Sequence, residues 1–284
     1  YPIALASGMG LNAYFAYTIC LGELADQANP WQIALTAILV EGIIFIILSA
    51  FKFRETLVNC IPENLKYGIT TGIGLFITFI GIAAADASTK VALGDIAQPQ
   101  VALALIGVII IGLMLYFNVK GAILWGILIT WGLGIIAQFT GWYAVNPEAG
   151  VYSLLPSGSF LPNFAALGDT AFKFDFSFML NNTVEFAVIV FAFLFVDLFD
   201  TVGTLIGVAA KGNMLDKDGK LPRVGRALMA DAIGTVAGAC LGTSTVTSYV
   251  ESSAGVAEGG RTGLTSLTTA VMFILSLFLW PVFG

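Results

Sequence analysis

Six carboxylates stand inside or beside apolar stretches of the sequence, where a charge is costly to place. Two of them, Asp197 and Asp200, lie within Phe195-Val-Asp-Leu-Phe-Asp-Thr-Val-Gly-Thr-Leu205, and a spacing of three puts them on one face of a helix. A carboxylate at the centre of a membrane helix costs about 2.5–3.5 kcal/mol on insertion scales, so it faces a cavity or bundle interior and marks a substrate or proton route. Low dielectric favours the neutral carboxyl, which suits a group that must bind and release a proton. The alternative is a purely structural use of both as helix–helix hydrogen-bond partners. Glu251 follows a polar break by a few residues and falls in the same class. Glu41, beside Gly42, fits either a packing hydrogen bond or a supporting role. Asp231 and Glu185, near the ends of their runs, read as interface residues.

The sequence contains no histidine, which removes the usual proton shuttle and the base of a Ser/His/Asp triad. Proton chemistry therefore falls to carboxylates. Cys20, Cys60 and Cys240 are far apart and odd in number, so neither a disulfide framework nor a metal site is expected, and all three read as packing residues.

Two segments are shaped to present such groups. Ser7-Gly-Met-Gly-Leu-Asn-Ala-Tyr-Phe15 and Gly242-Thr-Ser-Thr-Val-Thr-Ser-Tyr-Val-Glu-Ser-Ser253 interrupt apolar runs with small and polar residues. Both read as extended backbone leading into a half-helix. Such breaks are not tolerated against lipid and must be buried or line a cavity, and paired breaks point to a transporter's midplane site, where helix N-termini offer free N–H groups. Tyr14 and Tyr249 fall at similar points of the two breaks. The plainer alternative is a pair of glycine-rich packing segments.

The elements around them belong to a membrane protein. Of 284 residues, 58% are hydrophobic and 11% charged, and the mean hydropathy is +0.92. A soluble domain needs about 25% charged residues to solvate its surface. Nine apolar segments follow one another: Pro2 to Leu21, Trp31 to Phe51, Leu65 to Ala85, Val101 to Phe117, Ala122 to Thr140, Val184 to Ala210, Leu228 to Leu241, Thr243 to Val256 and Leu264 to Phe283. Most approach the roughly 20 residues that cross a bilayer as a helix. Alternating the connections puts Lys52, Arg54, Lys66, Lys120, Lys211, Lys217, Lys220, Arg223, Arg226 and Arg261 on one side and only Lys90 and Lys173 on the other. The excess marks the first side as cytoplasmic, and Lys211 to Arg226 reads as a topogenic loop. In the outer connection Phe172, Phe174, Phe176 and Phe178 alternate, which fits a strand or an interfacial segment, and the latter is expected. Gly68 and Gly72, four apart, are expected at a helix contact.

Gly8-Met-Gly-Leu-Asn-Ala-Tyr-Phe15, Phe195-Val-Asp-Leu-Phe-Asp-Thr-Val-Gly-Thr204 and Thr247-Ser-Tyr-Val-Glu-Ser-Ser-Ala-Gly255, followed by Glu258-Gly-Gly-Arg-Thr-Gly-Leu-Thr265, resemble the AzgA-like hypoxanthine/guanine/adenine permeases. These are a branch of the xanthine/uracil permease superfamily of nucleobase:cation symporters. The resemblance covers essentially the whole chain. It implies an all-α polytopic inverted-repeat transporter of fourteen segments, with a core domain, a gate domain, and two short midplane strands leading into half-helices. On that likeness the chain runs from segment three to segment eleven. Residues 1–85 hold segments three to five, 86–140 the remaining gate segments of the first repeat, 141–182 an extracytoplasmic loop, and 183–284 the second repeat.

The resemblance also assigns roles. Asn12 matches the polar position of segment three, Asp197 the segment-eight carboxylate that meets the base, Glu251 the segment-ten carboxylate at its opposite edge, and Asp200 the accompanying acid. Asp231 resembles the segment-nine acid that supports the site, and Glu41, Thr201 and Ser248 join it as supporting residues. Related uracil permeases carry a histidine one turn after the segment-eight acid. Thr201 stands there in this sequence, so the proton role passes to Asp197 or Asp200. A purine is flat and neutral, with donors and acceptors along its edges, so carboxylates, backbone N–H groups and an Asn amide complement it. Phe195 and Tyr249 are the candidates to cover a ring face, a contact worth about 0.5–1.5 kcal/mol beyond burial.

The sequence thus reads as a multi-pass importer of hypoxanthine, guanine and adenine in the plasma membrane, with loops 52–66 and 211–227 cytoplasmic. It would work by alternating access, coupled to protons in preference to sodium, without cofactor, metal or nucleic acid, and with a homodimer open as its assembly. Its rivals are a carboxylate-lined channel and an intramembrane aspartyl protease. The protease needs two carboxylates sharing a proton on facing helices, whereas Asp197 and Asp200 share one helix and no Gly-x-Gly-Asp occurs.

Overall fold

The computed structural model describes residues 1–82, 96–146, 151–158 and 160–283. Lys90, the end of the apolar run Leu65 to Ala85, the expected division at residues 85 and 86, and Pro147 lie outside them. The chain divides into two compact units, residues 1–73 with 163–274, and 74–162 with 275–284.

The first unit is organised around two three-residue strands from opposite ends of the sequence. β1 (Leu5–Ser7) pairs antiparallel with β2 (Val246–Ser248), matching Leu5 with Ser248, Ala6 with Thr247 and Ser7 with Val246. Gly8 ends β1 and caps α1 (Met9–Ala13), which runs directly into a π-helix over Tyr14–Glu23. The first extended piece therefore begins two residues before the expected Ser7, and most of Ser7 to Phe15 is helical. Glycine is required at position 8, because a Cβ there would stand 2.8 Å from Thr247 Cγ2 across the pair.

Three long apolar helices surround the strands. α2 (Pro30–Ala50) opens with proline in its first turn, where the missing N–H costs nothing. After a turn in which Lys52 takes a left-handed conformation, α3 (Phe53–Cys60) packs back on α2, and α4 (Glu63–Ile82) follows. Past the short α7 (Leu167–Thr170) and α8 (Ser177–Asn181) comes α9 (Thr183–Lys211), then α10 (Val224–Leu241), which Gly242 ends in a left-handed cap with φ of 88°. α10 begins four residues before the expected Leu228. α11 (Ser252–Ala257) and α12 (Gly263–Ser276) close the unit.

Gly42 lets α2 and α10 approach closely, since a Cβ there would meet Val236 Cγ2 at 2.7 Å. The expected small-residue contact lies elsewhere. Gly68 and Gly72 have nothing within 4 Å of an added Cβ, whereas Gly203 and Gly207 on α9 receive Ile69, Ile73 and Thr70 of α4. Both pairs are spaced by four, and only the facing side chains decide which one packs.

One apolar cluster joins Ile19, Ile33, Ile38, Ile189 and Phe193 and takes in Phe178. A second joins Val58, Leu205, Ile206, Leu221, Val224 and Leu228. The alternating phenylalanines are not a paired strand. Phe178 is buried and Phe174 packs against the first cluster, whereas Phe172 is 70% and Phe176 44% exposed. Cys20 is buried and Cys240 half-buried, but Cys60 is exposed and does not pack.

The second unit contains a helical hairpin, α5 (Pro99–Tyr116) and α6 (Ala122–Phe139), with α13 (Trp280–Phe283). Five described helices, α2, α5, α6, α9 and α10, are long and apolar enough to cross a membrane.

Candidate functional site

The strand pair brings polar side chains from α1, α2, α3, α9, α10 and β2 together within the first unit. Asp197 and Thr201 occupy successive turns of α9, and the Thr201 hydroxyl lies 3.2 Å from Asp197 Oδ1, 3.1 Å from Asp231 Oδ2 and 2.9 Å from Thr247 Oγ1. One hydroxyl proton thus faces three oxygens. Asp231 Oδ1 accepts from the Ser248 backbone N–H at 3.0 Å and lies 3.5 Å from its hydroxyl, which ties α10 to β2. Asp197, Thr201 and Asp231 have no exposed surface.

The cation in this cluster is Arg54, from the first turn of α3. Its Nη2 lies 3.2 Å from Asp231 Oδ2 and 3.9 Å from Asp197 Oδ2, and its Nη1 donates to Leu228 O at 3.1 Å. The guanidinium sits 3.7 Å over the Phe45 ring. Removing one member of a buried pair of this kind costs about 3–5 kcal/mol, because the other charge is left behind. By sequence alone Arg54 and Lys66 count among cytoplasmic loop charges, and Asp231 reads as an interface residue by position although the family likeness makes it a supporting acid. The structure buries all three. Arg54 follows the apolar run Trp31 to Phe51 by three residues, like a topogenic flank, and the left-handed turn at Lys52 directs it inward.

Glu41 extends the cluster from α2. Its Oε2 accepts from Thr245 Oγ1 at 3.1 Å, while Oε1, like Asp197 Oδ2, has no hydrogen-bond partner although it is buried. At the other edge Ser7 Oγ donates to Asn12 Oδ1 at 2.7 Å and lies 2.9 Å from Ser244 Oγ, whose hydroxyl also reaches Asn12 Oδ1. Backbone groups complete the frame: Thr235 Oγ1 donates to Val246 O at 2.7 Å and Tyr249 N to Ala4 O at 2.9 Å.

The expected residues fall into three groups. Asp197, Thr201, Asp231, Ser248 and Glu41 form the buried interior. Asn12, Asp200, Tyr249 and Glu251 make a rim with accessible surface; Asp200 lies beside Thr247 and within electrostatic reach of Glu251, which caps the start of α11. Phe195 is not brought to either. It is 53% exposed and stacks with Phe199 at 4.7 Å and Phe191 at 6.2 Å on a different side of α9. The helix that follows β2, α11, is only six residues long, whereas α1 continues without a break into the π-helix over Tyr14–Glu23.

Two short paired strands enclosed by long apolar helices, with buried carboxylate oxygens beside them that accept no hydrogen bond, define an all-α polytopic membrane fold. The fold is shared with the transmembrane domain of the cyanobacterial bicarbonate transporter BicA, with a TM-score of 0.64 at 17% identity over 98% of this chain and 69% of that one. The chain belongs to the Permease family that includes the xanthine/uracil permeases, whose profile matches residues 1–283. It is 46% identical to the guanine/hypoxanthine permease PbuO of Bacillus subtilis, over 99% of this chain and 62% of that protein. To the adenine permease AdeQ of Escherichia coli it is 37% identical, over 99% of this chain and 60% of that protein. The chain thus spans about three fifths of the length of these relatives. The family consists of permeases, not enzymes, and the protease alternative falls with that.

Proposed function

We propose that this chain carries the substrate and coupling site of a purine nucleobase transporter that imports hypoxanthine, guanine or adenine with a proton by alternating access. The observation that supports this most is the fully buried Asp197, whose Oδ2 has no hydrogen-bond partner and whose neighbour Thr201 reaches Thr247 of the paired strands. The close relationship to guanine/hypoxanthine and adenine permeases indicates the class of substrate.

Exposure sorts the roles. A base can touch only groups with accessible surface, so Asn12, Asp200 and Glu251 are assigned its hydrogen-bonding edges and Tyr249 a ring face. Asp197 has no such surface and acts through its proton and through Thr201. The base-facing role thereby moves from Asp197 to Asp200, one turn on. The protein resides in the plasma membrane with loops 52–66 and 211–227 cytoplasmic. Arg54 and Lys66 point into protein, but Lys52, Lys120, Lys211, Lys217, Lys220, Arg223, Arg226 and Arg261 still outweigh Lys90 and Lys173.

Uptake of radiolabelled hypoxanthine, guanine, adenine, xanthine and uracil by cells expressing the protein, measured across external pH, tests this. Saturable purine accumulation that declines as external pH rises and collapses with an uncoupler is expected. No purine uptake, or flux that never exceeds equilibrium as in a channel, overturns it.

A further inference from the structure

Arg54 sits in the first turn of α3, where the helix dipole disfavours a cation, and it has no exposed surface. Three carboxyls, equally buried, stand against it: Glu41 from α2, Asp197 from α9 and Asp231 from α10. The neighbouring acids Asp200, on α9, and Glu251, before α11, keep accessible surface. Three buried anions against one cation would leave two charges uncompensated in a low-dielectric interior, so the cluster must hold protons.

Hydrogen bonding distinguishes the three acids. Asp231 is surrounded by donors: Arg54 and Thr201 at Oδ2, and the Ser248 amide and hydroxyl at Oδ1. Two of these donors, the guanidinium and the amide, are N–H groups that can only donate, one at each oxygen, and hydrogen bonds of that kind favour the ionised form. Asp197 Oδ2 and Glu41 Oε1 accept no hydrogen bond. Each offers a bare oxygen on which a proton can sit.

We propose that Arg54 is the fixed counter-cation of this cluster, a positioning residue that keeps Asp231 ionised as the anchor of β2 and leaves the exchangeable proton to Asp197 and Glu41. This rests on the proton-coupled purine transport proposed above. Arg54 then works through its pairing and touches neither base nor proton. Its 3.9 Å approach to Asp197 Oδ2 sets how readily that acid gives its proton up.

A double-mutant cycle tests the assignment, with the pH midpoint of hypoxanthine uptake as its readout. Arg54→Gln removes the cation, so protons bind the cluster more tightly and the midpoint moves to higher pH. Asp231→Asn leaves Arg54 facing only Asp197 and Glu41, so the midpoint moves to lower pH. Each shift should be about one pH unit or more, as for an opposite charge within roughly 4–6 Å. In the double variant the two changes cancel and the midpoint returns to that of wild type. A role confined to packing predicts loss of protein without opposed shifts. Single variants that both leave the midpoint unmoved, or move it the same way, overturn the proposal, as does a double variant that stays shifted. If a single variant fails to reach the membrane, the double variant decides alone. Insertion with a wild-type midpoint supports the pairing, and failure to insert or a displaced midpoint refutes it. A wild-type protein that takes up no purine would instead end the transport reading itself.

Discussion

In the unit of residues 74–162 and 275–284, α5 and α6 pack through Leu103, Ala137 and Tyr143, and the polar side chains beside them are matched locally. Trp131 Nε1 donates to Leu154 O, Gln138 bonds Ser153 and the Leu154 amide, and the Tyr143 hydroxyl donates to Tyr152 O. In the unit of residues 1–73 and 163–274, comparably apolar helices enclose Arg54, Glu41, Asp197 and Asp231, and two buried carboxylate oxygens are left without a hydrogen-bond partner. Helices of similar hydropathy thus serve two ends. Where every polar group is satisfied nearby, the element can act as a frame. Where polar groups are buried and left short, the cost persists only if function uses it.

The sharpest way to break this contrast is at Asp197. Asp197→Asn should reduce accumulation by about a hundredfold or more, the scale on which loss of a proton-transfer group acts, while exchange of labelled for unlabelled purine survives. Normal accumulation against a gradient by this variant would show that the proton travels elsewhere. Thr201→Val comes next. It deletes the hydroxyl shared by Asp197, Asp231 and Thr247 at nearly constant volume, and an unpaired buried acceptor costs about 1–3 kcal/mol. Uptake should fall about tenfold and thermal stability in detergent should drop with it; an unchanged melting profile would mean that the hydroxyl carries no strain-relieving contact.

The frame is probed from the other side. A Cβ at Gly126 would stand 2.2 Å from Ile111 Cγ1, so Gly126→Val should destabilise the α5–α6 hairpin by about 1–3 kcal/mol through overpacking. The pH midpoint of uptake should stay in place, and a displaced midpoint would erase the division between frame and chemistry. The smallest effect is expected at Phe195. Phe195→Leu alters an exposed stack on a side of α9 away from the acids, and the half-saturating hypoxanthine concentration should change by no more than about twofold, as for ordinary surface positions. A large rise would return Phe195 to the purine.

Some of this was legible in the sequence because it violates the local pattern. Asp197 and Asp200 stand out in an apolar run, and the two polar breaks, joined here as β1 and β2, interrupt hydrophobic periodicity. What the sequence could not show depends on direction. Arg54 has the same local signature as a loop cation, and its burial follows from a left-handed turn at Lys52. Gly68/Gly72 and Gly203/Gly207 have identical spacing, yet only the second pair is filled by a neighbouring helix. Asp231, seven residues into α10, lay close enough to a run's end to pass for an interface residue. Phe195 shares a motif with Asp197 but not a face.

The strand pair also constrains how the protein is made. Ser7 and Ser244 touch across 237 positions of sequence, and at about 5–20 residues per second the ribosome needs on the order of ten to fifty seconds to supply the second after the first. During that interval the backbone of Leu5–Ser7 has no β partner in a bilayer that offers none. The polar cluster around the strand pair therefore cannot close until β2 has been made, and the nascent segment must be held by already inserted helices or by the insertion machinery until Val246–Ser248 arrives. Slowing synthesis anywhere between the two strands lengthens the exposure of the first, which makes biogenesis, more than equilibrium stability, the stage at which this architecture is most vulnerable.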